Sequence, residues 1–370
     1  MPASGNLASA ISTRVWHVEM MKRKPITVLG GGIAGLSAAI ALEKTGHQVT
    51  ILEKTKVFDP IGAGIQLGPN AVRALQKIGI WEAVEPISST PHAHHFRSAV
   101  SGRLLNAVDL GPAYVERFGQ PHRIAHRADL HEALMGVVKA SENITLKMGQ
   151  DVNPLAIKGP VIAADGMWSK TREMLFPGHV PEKLPVTIFR ALIDVPEIPG
   201  IDMRCVNFWM YKHAHFIHYP IVGRKKLNIV AVAPEPGPEQ ALAQVHALPR
   251  AVLNHISGFT RWTAAMLPPM PVWHKDNILL IGDAAHGTVP WLAQGAAMSL
   301  EDAAALMDTT DPVTFTNMRA PRCKRLHEQT VATGKIYHMS GLQGLARDLT
   351  LRLRSQAWLI ERLGWIYRGP

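Results

Sequence analysis

A chain of 370 residues, 47% of them apolar, is long enough for two domains or one large α/β unit and has the composition of a protein with a packed core. Its two cysteines, Cys205 and Cys323, are too far apart in sequence for a metal or redox pair, which sets aside a disulfide scaffold and fits a reducing, cytoplasmic setting. The net charge of +10 comes from scattered Lys and Arg, which points to small anionic ligands and away from nucleic acid, and no apolar run approaches the ~20 residues of a membrane span.

Residues 1–24 lack a secretory apolar core and read as a disordered extension, with Met20 or Met21 as an alternative start. The first structured stretch is "PITVLGGGIAGLSAAIALEKTGHQVTILEK", read as strand, tight turn, helix, strand. Ile26 to Leu29 suit a buried parallel strand, and Leu36, Ala39, Ile40 and Leu42 give the helix an apolar stripe. Gly30 permits the turn, Gly32 lets a pyrophosphate approach the backbone, and Gly35 lets helix and strand pack closely, while the helix N-terminus supplies partial positive charge. The second strand, Val49 to Leu52, ends at Glu53, an acid placed to hydrogen-bond an adenosine ribose. An acid there disfavours a 2′-phosphate, so FAD and NAD remain and NADP does not.

Further along, "GPVIAADGMWSKTRE" has a short strand from Val161 to Ala164, a turn at Asp165-Gly166 and a helix start at Ser169 to Arg172, an ordinary strand-turn-helix by spacing alone. The aromatic run "VNFWMYKHAHFIHYPIVG" reads as one β-strand. Period-two counting then puts Trp209, Tyr211, His213, His215, Ile217 and Tyr219 on one face, the wall of a pocket for a flat polar ring, with Phe208, Met210, Phe216 and His218 behind.

In "ILLIGDAAHGTVPWLAQGAAMSLEDAAAL", Ile278 to Ile281 form a buried strand, Asp283 stands at its carboxyl end, and a helix begins near Gln294. Asp283 serves either as an acceptor for ligand hydroxyls or as a helix N-cap. The tail "LARDLTLRLRSQAWLIERLGWIYRG" places Leu349, Leu353, Leu359 and Leu363 on a basic amphipathic helix, expected to pack on its own domain or on a partner subunit and not on a membrane.

"GGGIAG" with Glu53, "AADGMWSKTR" and "LLIGDAAHGTVPWLAQGAAMSLEDA" stand in an order and rough spacing that resemble the single-component FAD-dependent aromatic hydroxylases, the salicylate and 6-hydroxynicotinate hydroxylase branch above all. The resemblance runs from about Pro25 to the C-terminal region, and the combination of motifs is what makes it specific. It implies an α/β fold: a Rossmann-like FAD-binding domain (25–90, 120–180 and 272–325) interleaved with a smaller mixed-sheet substrate domain (91–119 and 181–271), followed by C-terminal helices (326–370).

The same resemblance assigns roles. Gly30, Gly32, Ala34, Gly35 and Glu53 would hold the ADP half of FAD, Asp283 the ribityl chain, and Arg127 in "AHRADL" would reach toward the cofactor. Asp165 would belong to the Asp-Gly motif that serves both the flavin and a transient NADH or NADPH. A helix starting near Gly295-Ala296 would turn its positive end to the flavin N1 and O2. Pro290 would lie beside the flavin's reactive carbon, with Trp291 either next to it or in the core. His215 and Tyr219, four apart, match a substrate-lining pair, where a histidine can take a phenolic proton or hold a carboxylate.

The expected reaction follows: NAD(P)H reduces FAD, O2 forms a flavin C4a-hydroperoxide, and one oxygen passes to a small aromatic acid or phenol. No metal is expected, and the protein would be a monomer or homodimer. Two other readings compete: a flavoprotein oxidoreductase of the same fold that inserts no oxygen, and a shortened paralogue with weak FAD binding. The segments 130–165 and 230–273 are shorter than the resemblance leads one to expect, which would leave sheet edges exposed.

Overall fold

The structure, a computed structural model, describes residues 25–58, 63–221, 223, 225–309 and 311–369; the extension expected at residues 1–24 lies outside them. Among the described residues no helix is long and apolar enough to cross a membrane.

The first sheet orders its strands β15-β16-β9-β1-β2-β8, with β1 Ile26–Leu29, β2 Val49–Glu53, β8 Ile144–Met148, β9 Val161–Ala163, β15 His274–Lys275 and β16 Ile278–Leu280. All neighbours are parallel except the β15–β16 pair. The central strands β9 and β16 are wholly buried apolar runs, as strands covered on both faces must be. Strand β8 is the edge, and it presents Thr145 and Lys147 to solvent.

Helix α1 (Ile33–Lys44) joins β1 to β2 and is buried from Gly35 to Leu42. A helix apolar all round needs cover on both sides. The sheet supplies one side, and α4 (Gly295–Leu306), buried from Ala297 to Leu306, supplies the other. Both helices are alanine-rich, which lets their axes come close. Between them in the chain lie α2 (Arg127–Ala140) and α3 (Lys170–Leu175).

The second sheet has the order β14-β10-β13-β12-β11-β5-β6, from β5 (Ala93–Ser98), β6 (Leu104–Asp109), β10 (Glu182–Asp194), β11 (Val206–Tyr211), β12 (Ala214–Ile221), β13 (Lys226–Ala233) and β14 (Thr260–Met266). A small antiparallel sheet of β3 (Gly64–Leu67), β7 (Arg123–His126) and β4 (Ser88–Ser89) connects the two halves. The connection is close: Gly64 N donates to Asn228 Oδ1 at 2.7 Å, and a Cβ on Gly64 would fall 2.4 Å from the Tyr219 ring.

The aromatic run is a hairpin and not the single strand its pattern suggests. Strands β11 and β12 pair antiparallel with Phe208 opposite Ile217, Met210 opposite His215 and Tyr211 opposite Ala214, across a turn in which His213 has φ 59°. Directly opposed residues share a face, so the alternation inverts at the turn. Phe208, Met210, His215, Ile217 and Tyr219 therefore look one way. Trp209 and Tyr211, expected on the pocket wall, lie with Ala214 and Phe216 in the core on the other side.

The chain ends in α5 (Pro312–Tyr337), α6 (Gly341–Leu353) and α7 (Gln356–Arg368). The single amphipathic helix expected in the tail is interrupted at Arg354-Ser355, where Ser355 caps α7 by accepting from Trp358 N at 3.2 Å. Leu359 of α7 is buried, whereas α6 turns Leu342, Leu345, Leu349 and Leu353 to solvent.

Candidate active site

Strands β1, β9 and β16 end together, and the crevice beyond their carboxyl ends collects the glycine-rich segments. Gly30 has φ +101°, and a Cβ there would stand 2.5 Å from the Ala164 carbonyl oxygen. At Gly35 a Cβ would stand 1.9 Å from the Gly30 carbonyl oxygen, so the turn closes against its own helix. Gly32, by contrast, faces open space, with nothing within 4 Å of such a Cβ. No side chain caps α1, and its first amides are free for a ligand.

Glu53 reaches across the turn: Oε2 accepts from Gly31 N at 2.6 Å, and Oε1 accepts from Thr55 N at 2.8 Å and its hydroxyl at 2.9 Å. His131 Nε2 lies 2.7 Å from the Gly31 carbonyl oxygen and Phe58 packs edge-on against its ring, so a polar and aromatic border surrounds the turn.

A cavity of about 500 Å³ opens from this crevice toward the second sheet. Its walls bring together Gly32, Ala34, Arg127, Tyr219, Asp283, Pro290, Gly295 and Ala296, residues more than two hundred positions apart that the sequence singled out separately. Gly30, Gly35, Glu53, Asp165 and His215 are not on its lining. Asp165 spends its carboxylate on the following helix, with Oδ1 accepting from the Ser169 hydroxyl at 2.6 Å and Oδ2 from Thr171 N at 3.1 Å and its hydroxyl at 2.8 Å. It thereby fixes the turn that places Gly166 and Met167 on the cavity wall.

Burial raises the Asp283 carboxyl above its ordinary range, against the opposing pull of His286 and Arg127. Its carboxylate opens onto the cavity, and an acid so placed is suited to accept hydrogen bonds from ligand hydroxyls. Arg190 of β10, which the sequence did not point to, lines the same cavity with its Nε unpartnered, as is the Thr288 hydroxyl. The open backbone at Gly32 and at Gly295, the uncapped start of α4 and the unpartnered Arg190 and Thr288 atoms together fit an extended, anionic, hydroxyl-bearing cofactor.

Beneath this cavity lies a charge network that no sequence motif announced. Asp302 Oδ2 accepts from Gly282 N at 2.8 Å and meets His286 Nε2 at 2.6 Å, while Oδ1 accepts from Arg319 Nε at 2.8 Å. Glu301 accepts from Arg319 at 2.7 Å, from Arg322 at 2.7 Å and from Asn70 at 2.8 Å. Burial works against the charge on Asp302, but His286 and Arg319 outweigh it and hold the carboxyl down at about 2. The network fixes Gly282, whose φ of +58° and close approach to Ala34 present Asp283 to the cavity.

A second, largely apolar cavity of about 490 Å³ shares Gln66, Ile217, Pro290 and Ala293 with the first. Phe96, Phe208, Met210, Trp291 and Tyr337 give it the walls of a ring site. Trp291 both lines this cavity and packs on α5, where a Cβ on Gly334 would stand 2.4 Å from its ring. His215 sits one layer behind, in ring contact with Trp291 and Tyr337, its Nδ1 2.8 Å from His338 Nε2 and its Nε2 unpartnered. Burial, reinforced by His338, keeps it neutral, with its pKa well below the ordinary value.

Several imidazoles are held neutral in this way, which makes stability depend on pH. Burial lowers His122 from 6.5 to about 4 and, with Arg97 and His95 adding repulsion, His218 to about 3. The unfolded chain binds protons near the ordinary value that the folded protein refuses until far lower pH. Stability is therefore complete above that value and drains away as pH falls through it. The guanidinium midpoint is expected to drop between about pH 7 and pH 5; an unchanged midpoint would show that these rings take up protons in the fold as readily as in the unfolded chain.

A family model described as "FAD binding domain" matches residues 23–143 and 160–309. A 3-hydroxybenzoate 6-hydroxylase of Klebsiella oxytoca is 29% identical over 94% of this chain and 97% of its own length. A 3-amino-4-hydroxybenzoate 2-monooxygenase of Streptomyces platensis is 32% identical over 91% of this chain and 96% of its own. Among solved structures, Klebsiella pneumoniae HpxO complexed with FAD and uric acid superposes with a TM-score of 0.80 at 20% identity, covering 94% of this chain and 97% of that one.

Proposed function

The chain belongs to the FAD binding domain family, among the FAD-dependent aromatic hydroxylases, and from that membership we propose that it uses NAD(P)H and O2 to hydroxylate a small aromatic acid or phenol. The observation that carries the proposal is the junction of the two cavities. A polar one lined by the glycine turn, Arg127 and Asp283 meets an apolar, ring-sized one at Gln66, Ile217, Pro290 and Ala293.

FAD would be held with its ADP half at the turn from Gly30 to Gly35 beside Glu53, its ribityl hydroxyls at Asp283, and its ring near the α4 start at Gly295 and Ala296. When bound, it supplies the redox chemistry, taking hydride from NAD(P)H and activating O2 so that one atom reaches the ring and the other leaves as water. The protein's own part is geometry and charge. The α4 amides and Arg127 offset negative charge on the reduced cofactor. Pro290, Ile217 and Tyr219 position the ring and exclude water. His215, one layer behind Trp291, holds a proton in its pair with His338, and Asp165 shapes the loop that NAD(P)H would approach.

The test is a visible spectrum of the purified protein with identification of the released flavin, then turnover under heavy-isotope dioxygen. Stoichiometric FAD and substrate-dependent product carrying the label are expected. Label-free product would leave an oxidoreductase of the same fold. A colourless protein that cannot be reconstituted would leave the shortened, weakly binding paralogue.

A further inference from the structure

The apolar cavity carries a second pair of histidines that the reaction outlined above does not use. His94 of β5 and His122, just before β7, both line it, with ring centroids 4.6 Å apart at 87°. His94 also stands edge-on to Phe208 at 5.6 Å. Both residues are at least nine-tenths buried, and His94 Nε2 and His122 Nδ1 have no hydrogen-bond partner. A core histidine is ordinarily satisfied, because an unpaired polar atom in an apolar wall is costly. Two on one wall of a ring-sized cavity point to a ligand.

The chemistry of that ligand follows from Gln66. Its Oε1 lies 3.2 Å from His122 Nε2, so that nitrogen is the donor. Burial keeps the ring neutral, with its pKa down at about 4, which leaves Nδ1 as a bare acceptor. His94, likewise lowered by burial and by His122, brings no positive charge either. The two arginines on the lining are cations, but each is already engaged with a partner or with solvent. Arg347 bonds Asp348 at 2.8 Å and the carbonyls of Ile336 and Tyr337, and Arg362 is exposed. The two histidines themselves, held uncharged and with His122 Nδ1 a bare acceptor, offer a carboxylate no counter-charge.

We propose that His122, its tautomer set by Gln66, and His94 beside it form a subsite that accepts a hydroxyl or amino substituent of the aromatic substrate, a neutral hydrogen-bond donor and not a carboxylate. The inference rests on the reading of this cavity as the ring site.

The test is calorimetric binding to the oxidised, FAD-loaded full-length protein under nitrogen. Catechol, resorcinol and hydroquinone are each compared with the methylphenol of the same geometry, which replaces one hydroxyl by a group of similar size that cannot donate. At least one diphenol is expected to bind about tenfold tighter than its methyl analogue. His122→Leu brings that ratio to within about threefold by weakening the diphenol alone, and His122→Asn, which keeps an acceptor near Nδ1, preserves it. If His122→Leu fails to fold, His94→Leu makes the same comparison. Ratios near one for all three pairs, a ratio unchanged in the leucine variants, or equal weakening of both ligands as from a purely structural role would each overturn the proposal. Because binding needs no turnover, a clear preference without labelled product would sink the hydroxylase reading and leave the subsite standing; labelled product without a preference would do the reverse.

Discussion

Arg319→Met is expected to cost about 3–5 kcal/mol of stability and to release the cofactor, far more than losing one surface charge would. Arg319 is buried between Asp302 and Glu301, bonding the first at 2.8 Å and the second at 2.7 Å. Removing it treats the two acids differently. Glu301 keeps both contacts to Arg322 and one to Asn70, so it retains a counter-charge. Asp302 keeps only His286 and the Gly282 amide, and its charge loses the guanidinium that stabilised it against burial. With that counter-charge gone, burial pushes the Asp302 carboxyl up toward its neutral form, and the pull on Gly282 changes. That residue holds a left-handed conformation against Ala34 and sets Asp283 toward the cavity.

Chemical unfolding of the apoprotein measures the first part and the FAD content of freshly purified protein the second. The double variant Arg319→Met/Asp302→Asn should recover part of the loss, because it removes the stranded charge. A loss below about 1 kcal/mol would mean that solvent or neighbouring groups already screen the network.

What the sequence made legible is what local spacing dictates. The turn from Gly30 to Gly35, the strand that leads into Asp283 and the helix at Gly295 each depend on residues within a few positions of one another, and each stands where the pattern put it. The hairpin was hidden because its turn, Lys212-His213, contains no Gly, Asn or Pro, and His213 takes a positive φ that its residue type seldom adopts. One missed turn inverted the faces of a whole strand. That is why Trp209 was expected on the pocket wall and Phe208 behind it.

The Asp302 network and the histidine subsite were illegible for another reason. Asp302 and Arg319 sit on successive helices, and His94, His122 and Gln66 on three different segments, so only the tertiary fold brings them together. No period or motif encodes that. Composition hints at it: "SLEDA" places two acids in a helix otherwise made of small and apolar residues, and buried acids need partners.

Two glycine substitutions in one turn should differ in their effect on the apoprotein, one destabilising it and the other leaving it unchanged, and share their effect on the cofactor. In Gly35→Ala the new Cβ meets the Gly30 carbonyl oxygen at 1.9 Å, a backbone atom that cannot rotate away, so the turn must open or α1 must lift from β1. Overpacking of this kind costs about 1–3 kcal/mol, and the displaced turn can no longer offer its amides to a pyrophosphate. Gly32→Ala meets nothing within 4 Å, and Gly32 has φ −75°, an extended conformation that alanine adopts freely. Its methyl group projects into the cavity that Gly32 lines. The apoprotein should therefore unfold at the wild-type denaturant concentration while FAD affinity falls by at least about tenfold, measured by quenching of flavin fluorescence on titration. Gly136→Ala, on the exposed side of α2 with nothing within 4 Å, controls for the intrinsic effect of the change and should stabilise by about 0.5–1 kcal/mol. Unchanged FAD affinity in Gly32→Ala would mean that the pyrophosphate does not approach the backbone there. Loss of apoprotein stability in that variant would mean that the space beside Gly32 belongs to the fold and not to the cofactor.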